Sequence, residues 1–191
     1  GVESPSSTSS RSFRKGKRLV LGMVGRLSEQ KGQHEVVQAL QEMDAPVILN
    51  LYGSGERYYV DKLKASAGGS VHFKGFQKKQ QIYSEVDFLV INAKNESFGR
   101  VVAEAYAYGV PVFGLRSGAV PELIEDGRTG FIFDDITEFR FRLDNVLMTL
   151  DEQAYLGMSQ NCIERFDNNY TIKSYSEEIY KILLNEVKTH D

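Results

Sequence analysis

Apolar positions run through residues 19–24 and stop at Gly25. An apolar run of this length closed by glycine marks a strand buried on both faces. The same signal returns at 46–52, 71–73, 86–91, 112–115 and 129–133. Between these runs the spacing changes to that of a helix. Val36, Val37 and Leu40 mark one face of 33–43. Residues 56–67, 78–84, 98–108 and 121–125 read as helical in turn, with Gly68-Gly69 and Gly109 as stops. This alternation predicts an α/β domain, a doubly wound Rossmann-like parallel sheet of about six strands with helices on both faces. Residues 136–188 continue as C-terminal helices with no further strand. On the last of them Tyr175, Ile179, Ile182 and Leu183 form an apolar stripe. It either packs on its own domain or docks on a second one.

Residues 1–18 break this order. The first twelve are rich in serine and carry Pro5, so the segment reads as a flexible linker ahead of a domain at 19–191. Arg11, Arg14, Lys15, Lys17 and Arg18 form a basic lead-in, solvated or set against an acidic surface or lipid headgroups. With 191 residues and 41% hydrophobic content, the chain suits one α/β domain with a proper core. A net charge of -3 gives no reason to expect a nucleic-acid partner. No apolar run approaches the ~20 residues that span a bilayer. The single cysteine, Cys162, excludes an internal disulfide framework and fits a reducing cytoplasm. It reads as a structural thiol, since no histidine flanks it.

Candidate chemistry sits at the strand ends. In an open α/β sheet, ligands bind beyond the carboxyl ends of the strands. The first such loop reads Gly25-Arg26-Leu27-Ser28-Glu29-Gln30-Lys31-Gly32. Arg26 offers a planar fork to phosphate oxygens, Lys31 a mobile point charge, and the following helix its positive end. Two exposed loop cations explain the same residues. Gly53-Ser54-Gly55 closes the second strand and is equally ordinary turn chemistry. The loop from Asn92 leads into Glu96-Ser97-Phe98-Gly99 and on to Glu104. With the helix drawn from Phe98, Ser97 and Glu104 share a face about two turns apart, a rise of roughly 10 Å. That matches the reach from a pyrophosphate to the far side of a ribose. Backbone N–H groups at Ser97, Phe98 and Gly99 would face an anion. Glu104, among Val101, Val102, Ala105 and Tyr106, would be costly to bury without partners. A solvent-facing glutamate is the alternative. The small residues of Ser117-Gly118-Ala119 would let backbone approach a ligand, while Pro121-Glu122 also starts a helical turn well.

Four ordered motifs then carry a resemblance. They are G-R-L-x-x-x-K-G at 25–32, E-x7-E at 96–104, S-G-A-V-P-E-L-I at 117–124 and D-G-R-T-G-F at 126–131. Together they resemble the retaining glycosyltransferases of family 4, over roughly residues 19–133. The resemblance implies one half of a GT-B fold, whose two Rossmann-like domains face a central cleft. It implies that Arg26 and Lys31 hold the donor diphosphate and stabilise the leaving group, and that Glu96 contacts the transferred sugar. Ser97, Phe98 and Gly99 would help hold sugar or phosphate, and Glu104 would bind the ribose hydroxyls. Gly25, Gly53 and Ser54 would line the nucleotide pocket, and Phe76 and Gln77 would lie along the base. The donor would be a nucleoside-diphosphate sugar, with no cofactor and no metal, and transfer would proceed on the front face with retention. The acceptor, lipid-linked or saccharide, would belong to an N-terminal domain outside these residues, because Gly1-Val2-Glu3 resembles the junction after that domain. This stretch alone would then bind donor and transfer nothing. The whole enzyme would be cytoplasmic, at the inner face of a membrane where its acceptor is lipid-linked. The family often has Gly-Gly where this chain has Ser117-Gly118, which puts backbone approach to the donor there in question.

Two other readings remain. A nucleotide-sugar epimerase shares the architecture but needs further acid/base groups, and His34, His72 and His190 are not on the strand-end loops. A noncatalytic nucleotide-sugar-binding module would carry the same donor residues.

Overall fold

The computed structural model describes residues 2, 13, 18–43, 45–97 and 99–171. Phe98, the stripe at Tyr175, Ile179, Ile182 and Leu183, His190 and most of the basic lead-in lie outside the described residues.

Six strands are present among the described residues: β1 (Leu19–Val24), β2 (Val47–Tyr52), β3 (Val71–Gly75), β4 (Phe88–Ile91), β5 (Val112–Leu115) and β6 (Gly130–Phe133). All neighbours pair in parallel, in the order β3-β2-β1-β4-β5-β6. The expected doubly wound sheet is therefore present. Its order reverses between β1 and β4, so the topological switch point lies there. The interleaved helices are α1 (Gln33–Gln41), α2 (Arg57–Ser66), α3 (Lys79–Glu85), α4 (Arg100–Ala107) and α5 (Val120–Leu123). The C-terminal part forms α6 (Ile136–Thr149) and α7 (Glu152–Asn169). Each of these two starts on an aspartate cap. Asp135 accepts from the N–H groups of Thr137 and Glu138, and Asp151 from that of Ala154.

Apolar side chains divide between two clusters. The first joins the sheet to α1, α2 and α6 through Val36, Val37, Leu63, Phe139 and Leu143. The second joins it to α3 and α4 through Ile82, Tyr83, Val102 and Tyr106. Helix α7 serves both, with Tyr155 and Met158 in the first and Cys162 and Phe166 in the second. This double covering explains why the strands read as unbroken apolar runs. Within the expected linker, Phe13 stacks on Tyr155 with ring centroids 4.8 Å apart, and the Val2 N–H donates to the Tyr170 carbonyl at 2.8 Å.

Several element boundaries differ from the sequence reading for local reasons. Strand β4 starts at Phe88, not Val86, because Asp87 ties the lead-in to β1. Its N–H donates to the Val20 carbonyl at 2.7 Å, and its carboxylate accepts from the Val20 N–H at 2.8 Å. Helix α4 starts at Arg100, because Gly99 is left-handed with φ +53°. A Cβ at Gly99 would collide with the Leu123 side chain, so glycine is required there. The expectation that Ser97 and Glu104 share one helical face is therefore wrong. Ser97 lies in the loop before α4, exposed.

Candidate functional site

Strands β1, β2 and β3 end in a row of left-handed glycines that the backbone joins sideways. Gly25, Gly53 and Gly75 have φ of +136°, +127° and +65°. The Gly25 N–H donates to the Tyr52 carbonyl at 2.9 Å, and the Gly53 N–H donates to the Gly75 carbonyl at 2.8 Å. A Cβ on Gly53 would strike the Gly25 carbonyl oxygen, so the close approach itself demands glycine. The Leu27 N–H extends the row with a bond to the Ser54 carbonyl at 2.8 Å. This shelf puts Ser54 and Arg26 at its outer edge, both exposed. Arg26 has no ion pair among the described residues.

Lys31 ends a 3₁₀ turn, Glu29–Lys31, that leads through left-handed Gly32 into α1. Two buried amides fix this turn. The Gln33 side chain donates to the Arg26 carbonyl at 2.9 Å and accepts from the Ser28 N–H at 3.2 Å. The Asn92 side chain, at the end of β4, donates to the Gly32 carbonyl at 3.1 Å and to a Glu35 carboxylate oxygen at 2.7 Å. A Cβ on Gly32 would run into Asn92. Lys31 is thereby held across the switch point from the β4 loop, where its Nζ meets Glu96 Oε2 at 2.7 Å. The pair sits over a small cavity of ≈ 30 Å³ at the ends of β1 and β4, lined also by Met23, Ile91 and Ala93. Sequence separation hides this contact, since the partners are 65 residues apart.

Glu96 is in turn seated on the 117–119 loop. Its carbonyl accepts from the Ala119 N–H at 2.8 Å, and a Cβ on Gly118 (φ +56°) would collide with that carbonyl oxygen. Ser117 answers the departure from Gly-Gly. Its hydroxyl accepts from the N–H of Asn95, itself left-handed at φ +64°, at 2.9 Å. Ser117 thus shapes the Glu96 loop, and Gly118 alone supplies the close approach. Arg165 of α7 braces this region from behind. It donates to the Leu123 carbonyl at 2.9 Å and the Glu122 carbonyl at 2.7 Å, and pairs with Glu125.

Glu104 is buried, which excludes a solvent-facing side chain. Oε1 pairs with Lys79 Nζ at 2.8 Å and Arg100 Nε at 3.2 Å, and Oε2 accepts from the Tyr83 hydroxyl at 3.4 Å. Burial and the adjacent Glu104 charge raise the Tyr83 pKa well above its ordinary value, so this phenol remains a donor. After β3, Phe76 is 83% exposed, and the Gln77 side-chain oxygen is buried with no hydrogen-bond partner.

The structure therefore joins Lys31 to Glu96 and gathers Gly25, Gly53 and Ser54 on one shelf. Arg26 stands apart from that pair, Ser97 lies off the helix, and Gly99 acts as its N-cap. Sequence reasoning missed Gln33, Asn92, Lys79, Tyr83 and Arg165 as supports. Only Asn92 carried a signal, as a polar residue ending the apolar run of β4. Among the described residues no group of three or more His, Cys, Asp or Glu is arranged to hold a metal, and no helix is long and apolar enough to cross a membrane. His34 lies in α1 and His72 in β3, neither at a strand's carboxyl end.

Comparison with known proteins gives consistent matches. The family model described as Glycosyl transferases group 1 matches residues 6–148. Spore coat protein SA of Bacillus subtilis (strain 168) is 30% identical over 162 residues, covering 74% of this chain and 42% of that protein. The lipopolysaccharide core biosynthesis glycosyltransferase LpsE of Rhizobium meliloti (strain 1021) is 34% identical over 119 residues, covering 60% of this chain and 35% of that one. The crystal structure of Anabaena Alr3699/HepE in complex with UDP-glucose superposes with a TM-score of 0.77 at 27% identity, covering 88% of this chain and 49% of that chain. The chain thus spans less than half the length of each of these relatives.

Proposed function

Since the chain belongs to the group 1 glycosyl transferases, we propose that it forms the donor-binding half of a retaining, metal-independent GT-B enzyme resembling family 4. Its donor is a nucleoside-diphosphate sugar. Its acceptor is held by a second domain outside this chain. The observation that carries the reading is the Lys31–Glu96 pair at the switch point of the sheet. A cation and a carboxylate meet where the phosphate and sugar ends of such a donor would lie. The UDP-glucose bound to Anabaena Alr3699/HepE supports the donor class and makes uridine the first base to test.

In the proposed reaction the bond from the sugar's anomeric carbon to the β-phosphate oxygen breaks. A new bond forms on the same face to the acceptor hydroxyl oxygen, and the acceptor proton passes to the departing phosphate. Negative charge grows on that phosphate, so Lys31 and Arg26 stabilise the transition state more than the ground state. Glu96 leaves Lys31 for the sugar hydroxyls as the phosphate takes its place, and acts by position rather than as a covalent nucleophile. Gly25, Gly53 and Ser54 bring backbone close to the nucleotide, Phe76 and Gln77 flank its base, and Glu104 serves its ribose. Ser97 and Gly99 line the sugar side, joined in this proposal by Phe98.

Calorimetric titration with UDP, GDP and ADP tests the donor site. One of the three is expected to bind, and Arg26→Ala to weaken it. No heat with any of them overturns the donor-site assignment.

A further inference from the structure

A carboxylate that takes both hydroxyls of a ribose needs a vacant position on each of its two oxygens. Glu104 does not offer this. Oε1 already holds two cations, Lys79 Nζ at 2.8 Å and Arg100 Nε at 3.2 Å, which use both of its lone-pair directions. Oε2 holds the Tyr83 hydroxyl at 3.4 Å and keeps one direction. The site as built therefore accepts from one hydroxyl, through Oε2.

The missing half is supplied by Lys79. Its side chain is half-exposed while that of Glu104 is 11% exposed, so the ammonium stands at the mouth of the carboxylate's recess. An ammonium has three donors. One is used on Glu104, which leaves two for an oxygen beside it. Lys79 is also well sited, as the first residue of α3, directly after the loop that leaves β3 with Gly75, Phe76 and Gln77. Tyr83, one turn further along α3, stacks on Tyr108 at 5.3 Å and fixes α3 against the α4 side. Arg100 is 76% exposed and reaches Glu104 from one turn away on the same helix, a surface pair that contributes little.

Resting on the donor-site reading above, we propose that Lys79 and Glu104 together read the nucleotide ribose as a donor–acceptor pair. Glu104 Oε2 accepts from one of the vicinal hydroxyls, and Lys79 Nζ donates to the oxygen of the other. The pair is neutral as a whole, so the carboxylate remains buried at lower cost before donor arrives. Lys79 is a specificity-determining residue, and the ribose site spans α3 and α4 rather than a single glutamate.

Titration with UDP, 2′-deoxy-UDP and 3′-deoxy-UDP tests this, with GDP or ADP and its own deoxy pair used if UDP is silent. The wild-type protein is expected to bind each deoxy nucleotide about tenfold or more weaker than the parent, the loss of one hydrogen bond to a charged group. Lys79→Met is expected to weaken the parent by about tenfold and to erase the penalty for one deoxy compound only, the other remaining through Glu104. Lys79→Arg is expected to restore part of that penalty, and Lys79→Gln serves if the methionine variant does not fold. A variant that weakens all three nucleotides equally gives Lys79 a structural role and overturns the proposal. So does a variant that leaves all three unchanged. If UDP, GDP and ADP are all silent with the wild-type protein, the donor-site reading falls, and the role of Lys79 falls with it.

Discussion

Lys31 and Glu96 neutralise each other at 2.7 Å, with the lysine 39% exposed and the carboxylate 15%. A half-exposed ammonium on a flexible stem exchanges partners easily, whereas the carboxylate below it is held by its own backbone on Gly118 and Ala119. The lysine is therefore the member that moves to an arriving phosphate. In the proposed reaction it meets a charge that grows as the sugar departs, so its removal costs more in the transition state than in the bound donor. Lys31→Ala is expected to lower kcat about 10²–10³-fold, the scale seen when one stabilising donor is lost, with a smaller change in KM. Steady-state kinetics of the full-length enzyme read this split. Unchanged turnover removes Lys31 from the leaving-group role, and a change in KM alone reduces it to ground-state binding.

The elements matter because Lys31 and Glu96 belong to different ones, and a single side chain spans them. Asn92 ends β4 and donates both to the Gly32 carbonyl, at the entry to α1, and to Glu35 within α1. It is 2% exposed, so deletion leaves a buried carbonyl and a carboxylate without their donor. Asn92→Ala is expected to cost about 1–3 kcal/mol in chemical denaturation and to weaken nucleotide binding by loosening the Lys31 turn. A denaturation midpoint equal to wild type shows that the clamp carries no load. The same elements show what was legible in sequence and what was not. The six strands, their order and the glycines that end β1 and β2 could be read, because unbroken apolar runs and terminal glycines are local signals. The start of α4 could not, because Gly99 owes its left-handed turn to Leu123, which packs on it from α5. Asp87 was read as part of a strand for a similar reason, since its tie to Val20 spans 67 residues. At the site, residue types were legible and partners were not. Glu104 read as a carboxylate in need of partners, but nothing near it in sequence announced Lys79 or Tyr83. Ser117 read as a departure from the family, and only the fold showed its hydroxyl bound to the N–H of Asn95.

At the scale of the whole molecule, the two faces of the sheet differ in how they respond to alkali. Tyr52, Tyr83 and Tyr106 all belong to the cluster shared with α3, α4 and α7, and each is at most 1% exposed. Burial is the leading cause that raises the pKa of all three above the ordinary 10.0, with the charge of Glu104 adding to it at Tyr83. Their folded pKa values thus exceed the unfolded one, so the folded state holds the phenolic protons more tightly. That contribution to stability is complete below about pH 10 and is lost as pH rises from there towards the folded values. Once the unfolded tyrosines ionise, each buried one is expected to remove about 1.4 kcal/mol of stability per pH unit. Unfolding midpoints measured from pH 8 to 12 are therefore expected to hold steady at first and then to fall steeply above about pH 10. Tyr106→Phe isolates one contribution, because that residue lies behind α4, its hydroxyl bonded to the Leu123 carbonyl at 3.2 Å and to Thr129 at 2.8 Å. This variant is expected to be less stable at neutral pH through those lost bonds, yet to fall less steeply in alkali. An alkaline slope identical to wild type assigns the loss to groups other than this tyrosine and removes the buried phenols of the α4 face as its origin.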